Sequence, residues 1–116
     1  MINIYDSVNE LTANFEKTDE FVALRDAINA VKANENSLKL YHHMEEIRNK
    51  FIAEQEKGNS EMSAELQKEY KEVEAQIGQD ELIKNMMVHE TAVYQLLNDI
   101  QKSLTDPISN LYDALK

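Results

Sequence analysis

The apolar positions of this chain fall into a succession of stripes with helical spacing. Ile4, Val8, Leu11 and Phe15 recur at intervals of four, three and four residues, which places them on one face of a helix. Asn3 stands just before them as an N-cap, so the first helix is expected over residues 4 to 17. Thr18 restarts the chain as the next cap, followed by Asp19 and Glu20, whose charges suit the positive end of a helix dipole. Phe21, Leu24, Ile28 and Val31 form the second stripe, and Asn34-Glu35-Asn36-Ser37, without a periodic apolar residue, the second turn.

The third helix is expected over residues 37 to 57, with Leu40, Met44, Ile47 and Phe51 on its apolar face and Leu38, Tyr41 and Ile52 widening it. Gly58-Asn59-Ser60 is the clearest break. Gly58 can take the left-handed conformation that ends a helix, and Ser60 or Ser63 can cap the fourth, whose stripe is Met62, Leu66, Tyr70, Val73 and Ile77. A loop this short between two such helices predicts an antiparallel helical hairpin. Asp80, after Gly78, caps a fifth helix expected over residues 81 to 104 and roughly 36 Å long. Its stripe is Leu82, Met86, Val93, Leu97, Ile100 and Leu104. Thr105-Asp106-Pro107 is expected to end it, with Ile108, Leu111, Tyr112 and Leu115 in a short last segment that Pro107 either bends or separates.

Composition narrows the class. The 116 residues suit one domain, residues 1 to 116. Two Gly and one Pro are too few for a turn-dependent β architecture, and 42% apolar residues argue against wholesale disorder. The net charge of −10 disfavours direct nucleic-acid binding, which draws on clustered Lys and Arg, and docking on an anionic membrane. With no cysteine, disulfides, thiolate metal sites, iron–sulfur ligation and a cysteine nucleophile are excluded. No apolar run reaches the length of a membrane span, and the first residues lack the basic and apolar regions of a secretory signal. A cytoplasmic location is expected.

Candidate chemistry is sparse. His42 and His43 with Glu45 and Glu46 are the sole metal-like cluster: His42 and Glu46 lie four residues apart, His43 and Glu46 three. A metal site needs three or four converging ligands, and the Glu-x-x-His motif of di-iron bundles is missing. The cluster therefore reads as a solvated helix flank, with a metal-binding protein or metal-assisted hydrolase as the alternative. His89-Glu90 interrupts the long stripe, where a polar pair can set helix register. Adjacent residues diverge by about 100° on a helix and cannot act together on one atom. Glu65, Glu69, Glu72 and Glu74 with Lys68 and Lys71 form a charged face, solvated or facing a basic partner. No phosphate-binding loop, nucleophile elbow or His-Glu-x-x-His motif occurs. No enzyme activity and no cofactor are expected.

The stripes carry more information than the polar residues. Three long helices, each with an apolar face, exceed what the rest of a short chain can cover, and a second copy doubles every contact it makes. The expected fold is all-α: an elongated helical bundle with a long antiparallel hairpin, forming a homodimer. Phe51, Met62, Leu66, Tyr70, Val73, Met86, Val93 and Leu97 are the expected dimer or partner interface. The competing arrangement is a compact monomeric bundle.

The sequence also resembles the YheA/YlbF/YmcA family of small helical bacterial proteins, most closely its YheA-like branch. The residues that carry the resemblance are Asn3-Ile4-Tyr5-Asp6 with Asn9-Glu10-Leu11, and Phe21-Val22-Ala23-Leu24 with Ala27, Ala30 and the Asn34-Glu35 turn. Leu96-Leu97-Asn98-Asp99-Ile100 and Pro107-Ile108-Ser109-Asn110-Leu111-Tyr112 complete them. The resemblance implies an all-α, generally dimeric protein with a long hairpin, from a low-GC Gram-positive bacterium or its phage. It also implies relatives that act as protein–protein regulators of competence, sporulation and biofilm formation, and in a complex that modulates RNA processing by a membrane-bound ribonuclease. Some relatives hold iron–sulfur clusters through cysteines; this chain has none, so neither cluster nor redox role carries over. The function expected is a non-enzymatic helical interaction or regulatory adaptor with a protein partner. A role in RNA processing through a ribonuclease partner is the further alternative.

Overall fold

In a computed structural model, residues 1 to 58 and 63 to 116 are described. They form five α-helices: α1 Ile4–Phe15, α2 Asp19–Ala33, α3 Glu35–Glu56, α4 Ala64–Ile77 and α5 Glu81–Asp113. No strand occurs among the described residues.

The helix starts are written in single polar side chains. The Asn3 carboxamide accepts from the Tyr5 N–H at 3.2 Å, and the Ser63 hydroxyl accepts from the Leu66 N–H at 3.2 Å. Thr18 does two things at once: its hydroxyl donates to the Phe15 carbonyl at 2.7 Å, closing α1, and accepts from the Phe21 N–H at 3.2 Å, opening α2. The rings of Phe15 and Phe21 then meet edge to face, with centroids 5.5 Å apart.

Three boundaries differ from the sequence expectation. The turn expected over four residues after α2 contracts to Asn34, whose backbone is extended and whose side chain accepts from the Ser37 N–H at 2.9 Å. Because Asn34 caps so efficiently, α3 starts two residues early. The first helix stops at Phe15, because Thr18 takes the Phe15 carbonyl. The largest difference is at Pro107, which lies inside α5. The helix runs 33 residues without a break, about 50 Å. A proline inside a helix costs one donor, here the partner of the Ser103 carbonyl. Every residue from 101 to 116 is exposed, so water can take that carbonyl, and the proline φ is already helical.

By its backbone contacts the chain divides into two compact units. The first is continuous, residues 27 to 86, and contains the predicted antiparallel hairpin of α3 and α4. At its centre Ile47, Leu66 and Val73 are buried, with Leu40, Met44, Phe51 and Ile77 packed around them. The two arms present matching stripes, Leu40–Met44–Ile47–Phe51 and Leu66–Tyr70–Val73–Ile77, both spaced four, three and four. Equal spacing lets side chains of one helix enter the gaps of the other along the whole contact. Lys50 bridges the arms to Glu69 at 3.7 Å, an exposed pair that adds little stability. Gly58 ends α3 with φ +94°, as its position predicts.

Beside the hairpin, Asp80 ties two helix starts together. One carboxylate oxygen accepts from the Ile83 N–H at 3.0 Å and so caps α5. The other accepts from the hydroxyl of Ser37 at 2.6 Å, in the first turn of α3. Ser37 is the one buried polar residue among those described. Burial pushes the Asp80 carboxyl pKa upward, but the hydrogen bonds from Ser37 and from the amides of Ile83 and Leu82 outweigh it, and the group lies below its ordinary value of 3.8.

The second unit, residues 1 to 26 with 87 to 116, brings together both ends of the chain. It contains α1, the start of α2 and most of α5. Among its described residues Val93 alone is buried.

Two consequences are measurable. Leu66→Ala should destabilise the protein by about 2–4 kcal/mol in urea unfolding, because a buried leucine at the centre of the hairpin leaves a cavity. Tyr70→Ala, on the same helix but exposed, should cost well under half of that. Asp80→Ala should cost about 1–2 kcal/mol at pH 7, the usual cost of losing a helix cap. Since the folded carboxyl titrates below the unfolded one, its contribution is full above pH ~4 and fades as the pH falls through the folded pKa. The wild-type and Asp80→Ala stabilities should therefore converge in acid; a gap independent of pH between 7 and 2.5 would contradict the capping role.

Candidate interaction surface

His42, His43 and Glu46 all lie exposed along α3, and among the described residues no three histidine, aspartate or glutamate side chains come together as a metal site would require. The Tyr41 ring lies beside that of His42, with centroids 6.4 Å apart. His89 is half-buried and its neighbour Glu90 exposed. An open cleft of about 470 Å³ is lined by Asn36, Lys39, Leu40, His43 and Asp80 together with residues at the end of α4. Its one carboxylate, Asp80, is engaged by Ser37 and the start of α5. Along α4, Glu65, Glu72 and Glu74 face water, and Glu69 reaches across to Lys50.

The residues expected at an interface separate into three groups. Leu66 and Val73 are buried in the hairpin, with Phe51 packed on them, and Met86 and Val93 are likewise buried within the single chain. Their apolar area is covered without a second copy. Leu97 is half-buried. Tyr70 keeps nearly half of its surface in water, and Met62 lies outside the described residues.

The large exposed apolar surface lies instead in the unit formed by the chain ends. No residue of α1 is buried; Ile4, Val8 and Leu11 project from it into water. The last third of α5 repeats the pattern with Leu104, Ile108 and Leu111, and Leu115 continues it just past the helix end. These seven side chains are between 40% and 80% exposed. Isolated exposed leucines are ordinary on protein surfaces, but two aligned stripes in one unit mark an interaction site. The sequence displayed both stripes; what it did not display was their exposure among the described residues. Helical spacing identifies a face and is silent on what lies against that face.

Comparison with known proteins agrees with the fold. Residues 4–109 match a family model described as control of competence regulator ComK, YlbF/YmcA. A UPF0342 protein of Lactobacillus helveticus is 41% identical over 116 residues, covering 100% of this chain and 99% of its own. A UPF0342 protein of Staphylococcus epidermidis is 32% identical, with 96% of each chain covered. Among solved structures, a protein of unknown function (DUF964) from Bacillus stearothermophilus superposes with a TM-score of 0.84 over 97% of this chain and 98% of that one, at 15% identity. That likeness supports the helical fold. With the family model spanning nearly the whole chain and full-length relatives above 30% identity, the protein belongs to the YlbF/YmcA family.

Proposed function

We propose that the protein is a non-enzymatic regulatory adaptor, working as a homodimer and presenting helix faces to another protein in the cytoplasm. The observation that carries this reading is the pair of apolar stripes left in water on α1 and on the end of α5, in a unit with a single buried residue. A surface of that kind costs solubility unless something binds it. The family description, which concerns control of a competence regulator, supports a role exercised through proteins. No described helix is long and apolar enough to cross a membrane, in keeping with a partner reached from solution.

The test is crosslinking in a native host followed by purification of a tagged chain. The ten lysines, spread from Lys17 to Lys116, give an amine-reactive reagent purchase along most of the chain. A defined heterologous protein, crosslinked at reproducible lysines and recovered in near-stoichiometric amount, is the expected result. Recovery of the tagged chain crosslinked to itself alone, across growth phases, would sink the adaptor reading.

A further inference from the structure

The hairpin shows what two stripes spaced four, three and four do when they meet: Ile47, Leu66 and Val73 are buried between α3 and α4. The same spacing occurs twice more in the chain, in Ile4–Val8–Leu11–Phe15 and in Leu104–Ile108–Leu111–Leu115. The helical segments that carry them, with Leu115 just beyond the second, are also matched in length. α1 has 12 residues, and the exposed stretch of α5, residues 101 to 113, has 13. Yet, apart from the half-buried Phe15, both stripes face water. They are a complementary pair that the single chain leaves unpaired.

We propose that α1 of one copy packs on the last three turns of α5 of a second copy, and that a two-fold axis repeats the contact, so that each dimer contains two such intermolecular helix pairs. This rests on the homodimeric reading above and gives it an interface.

Three features favour a second copy over an unrelated occupant. First, each copy supplies both members of the matched pair, so one two-fold operation covers all four stripes and leaves none over. Second, area suffices. At about 100 Å² for each half-exposed aliphatic side chain, the seven residues offer roughly 700 Å² per copy, close to the ~800 Å² per partner of a standard stable interface. Third, charge permits it. A protein with a net charge of −10 repels its own copies, so self-association is least costly where its charge is lowest. Residues 1 to 15 hold two carboxylates, Asp6 and Glu10, and no Lys or Arg, while residues 101 to 116 hold two lysines and two aspartates. Eight of the ten excess negative charges thus lie on the residues in between.

The contact can be broken and rebuilt with charge. Light scattering coupled to size exclusion at tens of micromolar should give twice the chain mass for the wild type. Ile108→Glu and Val8→Lys should each give one chain mass, with helicity by circular dichroism retained, because both positions are exposed within the single chain. The double variant carrying both substitutions should regain the dimer, since each lysine on α1 then faces a glutamate on the partner α5. Pairing of α1 with α1, or of α5 with α5, would instead oppose like charges and leave the double variant monomeric. A monomeric wild type, single variants that stay dimeric, or a double variant without recovery would each overturn the proposal. Should a single variant lose its helicity, recovery of both helicity and mass in the double variant still supports the pairing, and failure to recover overturns it. The outcome is separable from that of the adaptor reading: dimerisation elsewhere with a crosslinked partner sinks only this interface, and this interface intact with no partner sinks only the adaptor.

Discussion

An amphipathic helix in water is stable to the extent that its apolar face is covered, because propensity alone rarely holds a helix of a dozen residues. That requirement organises the whole chain. Its two glycines and one proline leave little room for anything but helices, and every helix has one apolar stripe. Where two stripes of equal spacing are joined by a short loop, the hairpin of α3 and α4 closes and Ile47, Leu66 and Val73 are buried. Where the matching stripes are α1 and the end of α5, at opposite ends of the chain, both remain in water. The contrast lies in cover, not in sequence pattern.

Most of the fold was legible in the residues, and for physical reasons. Asn3, Thr18, Ser63 and Asp80 all act as the caps their positions imply, because a side-chain oxygen that accepts a backbone amide at a helix start is a local interaction. Gly58 ends α3 for an equally local reason. Interface against core was not legible. Leu66, Val73, Met86 and Val93 were expected at an interface and are buried in the chain, whereas Ile4 and Leu111 are exposed on stripes with the same spacing. Which face meets which depends on where the chain returns in space, and periodicity along one helix holds no record of that. The link between Ser37 and Asp80 was out of reach for the same reason. Each residue looked like an ordinary helix-start residue, and their meeting is a fact of the packing of α3 against the start of α5.

The functional reading follows from where polar groups are spent. Several polar side chains serve helix ends: Asn34 and Asp80 cap, Ser37 joins, Thr18 closes one helix and opens the next. Asp80, whose pKa is shifted, is shifted downward by hydrogen bonds that hold a helix start, the opposite of the raised carboxyl that acid catalysis requires. His42, His43 and Glu46 are exposed on α3. Exposed apolar stripes, by contrast, are surfaces suited to binding.

The continuity of α5 through Pro107 fits the same logic. The stripe formed by Leu104, Ile108 and Leu111 straddles the proline and keeps its spacing only if the helix does not break. The donor that Pro107 lacks would have bonded the Ser103 carbonyl. Ser103 lies about 100° around the helix from Leu104, away from the centre of the apolar face. A helix laid along the stripe would therefore cover the leucines while leaving that carbonyl open to water, so covering the stripe does not bury an unpaired polar group. A proline one residue later would have freed the carbonyl of Leu104, on the face to be covered, where losing its partner costs far more. The position of this single proline is thus compatible with an unbroken, coverable face.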